Sequence, residues 1–525
     1  MKYKLIIITI LIFGAFLRLY NLDQMPSSPN WDEVSLGYNA YSISKTGQDE
    51  WANSLPLIFR AYGDFKLPLY VYLSTPFIQL FGLNTFSIRL LSVISGVLAS
   101  FVFYLISRKL FTKSNIIPLL GLTIYALSPW SIFLSRIALE ANLFLTLFLL
   151  SFYFLLQKKY WQSATFYGLC LFTYNSSRII LFPYIALLIY LIVKSNTLKK
   201  DWYKYSFFIL SLLIFAFQSL DTSGQARYKW VTILDQGAIN QINELRQDYP
   251  RIIVNKYTYF IYHATINYLK HFSPSYVFFQ GGSHYQFNIP NFPLISTLLL
   301  PFFFLGFFSL CRKLLTKPTF PIFLILFFTL VAPLPSAITR DAPQILRSIT
   351  FLPLVTLMIL FGLNYLKNNL AIITYTSLAV IFTLFSFWNK YPIYAKNYAL
   401  SWQYGHSQMT DYIQQNSHLY DQIIITKRYG EPHEFILFFS QYSPQKYHND
   451  PNKKWAYYSD WYWVDGFDKY IFINDWEIKD FVPPSDKKIL LITSPSNYDQ
   501  TMFKSIYNIS SPQGQSIFDI TTNLK

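Results

Sequence analysis

Runs of about 17–22 apolar residues recur along this chain, separated by short polar pieces. A helix needs about 20 such residues to cross roughly 30 Å of hydrocarbon. A buried helix of a soluble protein explains one run of this kind, but not about eleven. The runs fall at 4–20, 87–107, 115–133, 139–156, 161–174, 179–193, 205–220, 292–311, 319–334, 346–364 and 370–388. The fifth is short for a span. Charged residues make up only 13% of the 525, against about 25% in an ordinary soluble domain. The expected fold is an all-α polytopic membrane protein of about eleven transmembrane helices.

The formal net charge of +16 would suit nucleic acid, but its placement argues against that partner. The basic residues gather in alternate short loops. They are Lys2 and Lys4; Arg108, Lys109 and Lys113; Lys158 and Lys159; Lys194, Lys199, Lys200 and Lys204; Arg312, Lys313 and Lys317; and Lys367. These segments hold one acid, Asp201, whereas the opposite loop 21–86 holds Asp23, Asp32, Glu33, Asp49, Glu50 and Asp64 against Arg60 and Lys66. Loops rich in Lys and Arg stay in the cytoplasm. The reading is therefore a multi-pass protein of the cell membrane, with its N-terminus cytoplasmic and its C-terminus outside. No small-residue cleavage site follows the first run, so it is read as a span rather than a signal peptide.

The chain divides into a membrane domain, 1–388, with outer loops 21–86 and 221–290, and an extracytoplasmic domain, 389–525. The stretch Leu67–Leu83, broken by Pro68 and Pro76, is read as an interfacial or re-entrant helix, because a twelfth span would invert the later charge pattern. In the tail, Gln422–Thr426, Lys469–Ile473 and Lys488–Thr493 read as strands, and Met409–Asn416 and Glu431–Tyr442 as helices. This makes a small α/β domain. The two cysteines, Cys170 and Cys311, lie in or at the end of apolar runs and form no readable disulfide or zinc framework.

Three groups of residues carry candidate chemistry. Asp32 and Glu33 follow the first span closely. A carboxylate there can take a proton from an acceptor hydroxyl or bind a divalent ion, although an isolated acidic pair is most often solvated loop. Glu140 opens the next outer span, one turn from Arg136, and an acid at the membrane edge needs a partner or water. Arg89, Arg136, Arg178 and Arg347 sit at outward span ends, against the inside bias, with Lys66 and Arg340 as weaker additions. A lipid phosphate is a natural anion for such guanidinium groups; headgroup contact and loop pairing are the bland alternatives. His284, after Gly281-Gly282-Ser283, is a further candidate for sugar or metal contact, though a lone loop histidine is usually polar surface.

At these residues the chain resembles the GT-C membrane glycosyltransferases of the protein O-mannosyltransferase type and the related bacterial aminoarabinose transferases. The resemblance rests on Trp31-Asp32-Glu33-Val34, Lys66-Leu67-Pro68-Leu69-Tyr70, Ser87-Ile88-Arg89-Leu90-Leu91-Ser92 and Ser135-Arg136 followed by Glu140. It continues through Tyr174-Asn175-Ser176-Ser177-Arg178, His271-Phe272-Ser273-Pro274, and Pro335-Ser336-Ala337-Ile338-Thr339 followed by Arg347. It implies Asp32 as base with Glu33 beside it, Arg89 and Arg136 near a donor phosphate, and Glu140 as a second acid. Glu140 departs from the aspartate usual in mannosyltransferases. The 221–290 loop lacks a β-trefoil-like insert, which tells against the eukaryotic protein acceptor.

The expected activity is transfer of a mannose-like or other hexose or pentose from a polyprenyl-phosphate donor to an acceptor hydroxyl at the outer membrane face. The acceptor is a glycolipid, a cell-wall polymer or a protein. Direct displacement inverts the anomeric carbon, and the phosphate leaves without a general acid. No cofactor is required, and the acidic groups are compatible with a divalent metal. Two other classes fit the composition: a lipid-linked-sugar carrier or flippase, and an assembly scaffold. A transporter would place its charges near mid-membrane on repeated, broken helices, whereas these cluster at one face.

Overall fold

A computed structural model of the chain describes residues 2–195, 202–220, 230–366 and 368–524. Lys199, Lys200, Asp201 and Lys367 of the charge pattern lie outside the described residues, as does the start of the 221–290 loop. Contacts divide the chain into two compact units, 1–20 with 92–390, and 21–91 with 391–525. The first outer loop therefore belongs with the tail.

Each expected span contains a helix, but not all of these helices are long and apolar enough to cross alone. Among the described residues six helices meet the length and apolarity of a span: Thr85–Leu110, Ser176–Ser195, Trp202–Leu220, Thr297–Thr316, Phe320–Ala337 and Asn369–Asn397. A seventh span counts if the pair α5 (Ile116–Leu127) and α6 (Pro129–Ser135), bent by 51°, is taken as one. Proline causes the break. Ser128 precedes Pro129 and is extended at φ −67°, ψ 140°, the conformation a following proline ring imposes. The remaining four runs fall short for separate reasons. Lys2–Leu19 (α1) carries Lys2, Lys4 and Arg18. Glu140–Leu156 (α7), Tyr160–Cys170 (α8) and Phe351–Leu363 have 17, 11 and 13 residues. At 1.5 Å per residue the last two reach only about 17–20 Å. Among the described residues, six or seven of the eleven expected spans meet these criteria of length and apolarity.

Two glycines set the closest helix crossing. A Cβ on Gly306 would lie 1.7 Å from the Met358 carbonyl oxygen, and one on Gly362 would lie 2.0 Å from that of Phe302. The helices Leu300–Thr316 and Phe351–Leu363 therefore touch backbone to backbone, as small residues permit in apolar bundles.

The second unit is built on a seven-stranded sheet of order β4-β5-β6-β3-β7-β9-β8. Its strands are β3 (Gln422–Thr426), β4 (Lys454–Tyr458), β5 (Trp461–Phe467), β6 (Tyr470–Ile473), β7 (Ile489–Thr493), β8 (Phe503–Ser510) and β9 (Ser516–Asn523). A short hairpin of β1 (Phe59–Arg60) and β2 (Phe65–Lys66) lies apart from it. The centre β6-β3-β7 is parallel and the flanks are antiparallel. All of β7 and most of β3 are buried, which is why both read as continuous apolar runs. Ile424, Ile489 and Leu491 pack with Ile478 and Phe503 as a core. The expected helices appear as His406–Asn416 and Pro432–Phe439.

The same unit holds α2 (Trp31–Thr46) and α3 (Pro68–Phe81). The latter is the expected short helix of the Leu67–Leu83 stretch. Its 14 residues extend about 21 Å, too short to cross, and it packs against α2.

Candidate active site

The N-terminus of α2 separates the acidic pair. Asn30 is its cap: the Asn30 side chain accepts from the Glu33 backbone N–H at 3.0 Å, and the Glu33 carboxylate accepts from the Asn30 N–H at 3.2 Å. This reciprocal box fixes the helix start. It turns Glu33 inward, where Arg89 grips it with two bonds of 2.8 and 3.0 Å. Both side chains are completely buried. Arg89 also donates to the carbonyls of Leu22, Pro26 and Ser28. A guanidinium so engaged acts as a strut for the 22–33 segment.

Asp32, one residue earlier, faces the other way. Its side chain is 38% exposed and receives Lys66 Nζ at 2.6 Å. Lys66 comes from β2, which pairs with β1 in a two-stranded hairpin. Trp31 anchors the turn: its N–H donates to Gln403 at 2.9 Å and its carbonyl accepts from the Tyr62 hydroxyl at 2.9 Å. The Tyr62 ring stacks on Trp461 with centroids 5.6 Å apart. Burial, reinforced by the negative charge of Glu434, Glu431 and Asp32, holds the Tyr62 phenol well above its ordinary pKa. It is a fixed donor, not a proton acceptor.

The other sequence candidates belong to the first unit. Arg136 is fully buried at the end of α6 and donates to the carbonyls of Leu17 and Arg18 at 2.9 and 3.0 Å. It thus caps the C-terminal end of α1, where a cation is favoured. Its guanidinium carbon lies 5.6 Å from the Trp388 ring centroid. Arg18, absent from the sequence candidates, is its companion: it bonds Ser131, Ser135 and the carbonyls of Gly14 and Ala126. Glu140 is buried at the first position of α7. Arg178 is buried and donates to Gln218 at 2.7 Å.

Arg347 sits in a more open setting. It donates to the Thr339 hydroxyl at 2.8 Å, and Gln344, next along the same turn, receives the Arg347 N–H and donates its own N–H to Ser336. The Pro335–Thr339 segment and Arg347 therefore form one local structure. His284 stacks between Tyr285 and Phe287 at 4.9 and 4.8 Å. Burial lowers its pKa; Asp341 opposes the shift and Arg347 adds to it. A neutral imidazole at that position accepts or donates hydrogen bonds but carries no charge. Arg340 pairs with Asp235 at 3.3 Å on the surface.

The comparisons with known proteins agree with this architecture. Residues 66–219 match the family described as dolichyl-phosphate-mannose-protein mannosyltransferase. The fold is that of ArnT from Cupriavidus metallidurans, whose crystal structure is bound to undecaprenyl phosphate; the TM-score is 0.55 at 9% identity, over 100% of this chain and 98% of that one. The chain is thus similar to a membrane mannosyltransferase family over residues 66–219 and shares the ArnT fold over its whole length. The archaeal oligosaccharyltransferase AglB from Archaeoglobus fulgidus, in complex with an inhibitory peptide and a dolichol-phosphate, matches at 14% identity and a TM-score of 0.48, over 83% of this chain and 63% of that one. No curated protein sequence matches.

Sequence reasoning missed a further set of groups in the second unit. Glu50, Glu431, His433 and Glu434 are all buried and lie close together. The run Glu431-Pro432-His433-Glu434 is visible in the sequence as acids flanking a histidine. Its approach to Glu50 spans more than 380 residues, and spacing cannot reveal that.

Proposed function

We propose that this protein is a glycosyltransferase that moves a sugar from a polyprenyl-phosphate donor onto an acceptor hydroxyl, with inversion, and that Asp32 is the base. The observation that carries this reading is the division of labour at the start of α2. Glu33 and Arg89 are sealed together as a positioning pair, leaving Asp32 as the accessible carboxylate with Lys66 on it. Lys66 is the cation most able to meet the donor phosphate. A phosphate arriving there competes for the ammonium and releases the Asp32 carboxylate toward the acceptor hydroxyl. The hydroxyl oxygen then forms its bond to the anomeric carbon as the bond to phosphate breaks. The leaving phosphate takes the electron pair and Asp32 takes the proton, so no general acid is needed.

Arg89 and Arg136 are therefore reassigned from phosphate binding to holding backbone carbonyls, while Arg178, Arg347 and His284 stay as donor- or acceptor-side candidates, with Glu140. The donor class follows the undecaprenyl phosphate of ArnT and the dolichyl-phosphate-mannose of the family description. The acceptor is a glycolipid, a cell-wall polymer or a protein. The charge pattern orients the N-terminus to the cytoplasm and the 389–525 domain to the outside of the cell membrane.

The test is release of radiolabel from a panel of polyprenyl-phosphate sugars by purified protein in detergent, with membrane extract supplying acceptor. Wild type is expected to release label from at least one donor and Asp32→Asn to be silent. Equal release by both proteins would remove Asp32 from the chemistry.

A further inference from the structure

Four ionisable side chains meet in the interior of the second unit, apart from the Asp32–Lys66 pair. Glu50 sits on the loop after α2. Asp49 shapes that loop by accepting from the backbone N–H groups of Trp51 and Asn53 at 2.9 and 2.8 Å. Glu50 is held from both sides by Asn39, which accepts from its N–H at 3.1 Å and donates to its Oε2 at 3.4 Å. His433 and Glu434 lie on the first turn of the helix Pro432–Phe439, and Glu431 immediately precedes it. His433 Nε2 is 3.7 Å from Glu50 Oε1 and 4.0 Å from Glu434 Oε1. Ligand atoms of Glu50, His433 and Glu434 all lie within 4.8 Å of one another.

Two details separate this cluster from an ordinary ion pair. Glu434 is only 1% exposed and its carboxyl faces Glu50 and Ser35, yet its Oε2 is buried without a hydrogen-bond partner. A buried carboxylate in that condition either takes up a proton, the direction in which burial and the Glu50 charge push it, or meets a cation. The opposite edge of the imidazole is also arranged. His433 Nδ1 is buried without a hydrogen bond, Glu431 Oε2 stands 3.5 Å from it, and the Trp461 indole N–H fixes Glu431 by a 2.6 Å bond to Oε1. A carboxylate behind a histidine, directing its far nitrogen forward, is the support that metal-bound histidines commonly have.

We propose that Glu50, His433 and Glu434 bind a divalent transition-metal ion of the zinc type, with Glu431 orienting the imidazole. One imidazole nitrogen and two carboxylate oxygens form a borderline donor set. Bonds of about 2.0–2.2 Å to a tetrahedral ion put ligand atoms about 3.3–3.6 Å apart. The separations, all within 4.8 Å, need to close by no more than about 1.5 Å to reach that geometry. Three protein ligands leave one coordination position for water or a substrate oxygen. The ion ties the loop that follows α2 to the helix of the tail and so braces the element that carries Asp32.

The test is a metal count on full-length protein purified in detergent, stripped with chelator, reloaded with zinc and desalted, using elemental mass spectrometry. Wild type is expected to retain about one ion per chain and to melt at a higher temperature reloaded than stripped. His433→Gln and Glu434→Gln are expected to fall to background, while His418→Gln, on the exposed surface, keeps the ion. Circular dichroism and gel filtration report whether each variant is folded. If a variant fails to fold, the stripped and reloaded wild type decides alone. A wild-type protein that retains no ion and shows no zinc-dependent melting shift overturns the proposal and leaves Glu50 and Glu434 sharing a proton. Retention of the ion by folded Glu434→Gln and His433→Gln overturns it equally. None of these readouts depends on transfer activity.

Discussion

Replacing Asp32 with Asn keeps the side chain's shape and removes its charge. The pair it forms with Lys66 is partly open to solvent, and such pairs contribute at most about 1 kcal/mol to stability. The expected result is a fall in transfer of about 10²–10⁴-fold, the usual contribution of a general base, with the melting temperature nearly unchanged. Glu33→Gln should do the reverse at first reading. It leaves Arg89 buried against a neutral partner, and breaking such a pair costs about 3–5 kcal/mol. A thermal melt of the two variants side by side checks this: a Glu33→Gln protein as stable as Asp32→Asn would refute the strut. The acidic pair itself was legible from the sequence. Its division was not, because adjacent acids look alike until the helix start is known. The signal lay in Asn30 and Glu33, three residues apart, the spacing of a capping box.

At the scale of elements, apolar runs announced the apolar helices of the first unit but not the polar Gln236–Leu245 and Lys256–Lys270 of the 221–290 loop, and β3 and β7 were readable because burial on both faces makes them continuously apolar. The strand β8 escaped because it is mostly exposed between Phe503 and Ile509, and β4 because its aromatic residues face solvent. Hydrophobic period cannot flag a strand that presents no buried face. Nor could the sequence show that Gly306 and Gly362 face each other's helices. A Cβ at either would run into backbone rather than into a flexible side chain. Gly306→Ala and Gly362→Ala are each expected to destabilise the protein by about 1–3 kcal/mol, the usual range for overpacking. Because both act on one helix crossing, the double variant should be less than additive. Melting temperatures in detergent for the two singles and the double measure this, and strict additivity would show that the glycines do not share a contact.

For the whole molecule, the number of apolar runs predicted its class, but run length does not reveal where proline or a short helix divides the path. The pH dependence of its stability has a traceable source in the tail. His406 is fully buried, its ring 4.1 Å from that of Phe435 and its Nδ1 at 2.9 Å from the Gln403 carbonyl. Burial lowers its pKa to about 4, partly offset by that hydrogen bond. The unfolded chain keeps the ordinary value near 6.5. Between about pH 4 and 6.5 the unfolded state therefore binds a proton that the folded state refuses, and stability rises with pH across that window. The contribution is complete above about pH 6.5 and is lost as pH falls toward 4, amounting to as much as about 3 kcal/mol. Unfolding followed by tryptophan fluorescence at pH 7 and pH 5 should show wild type losing more stability than His406→Phe, in which a ring remains but cannot titrate. Parallel losses in the two proteins would assign the acid sensitivity to other groups.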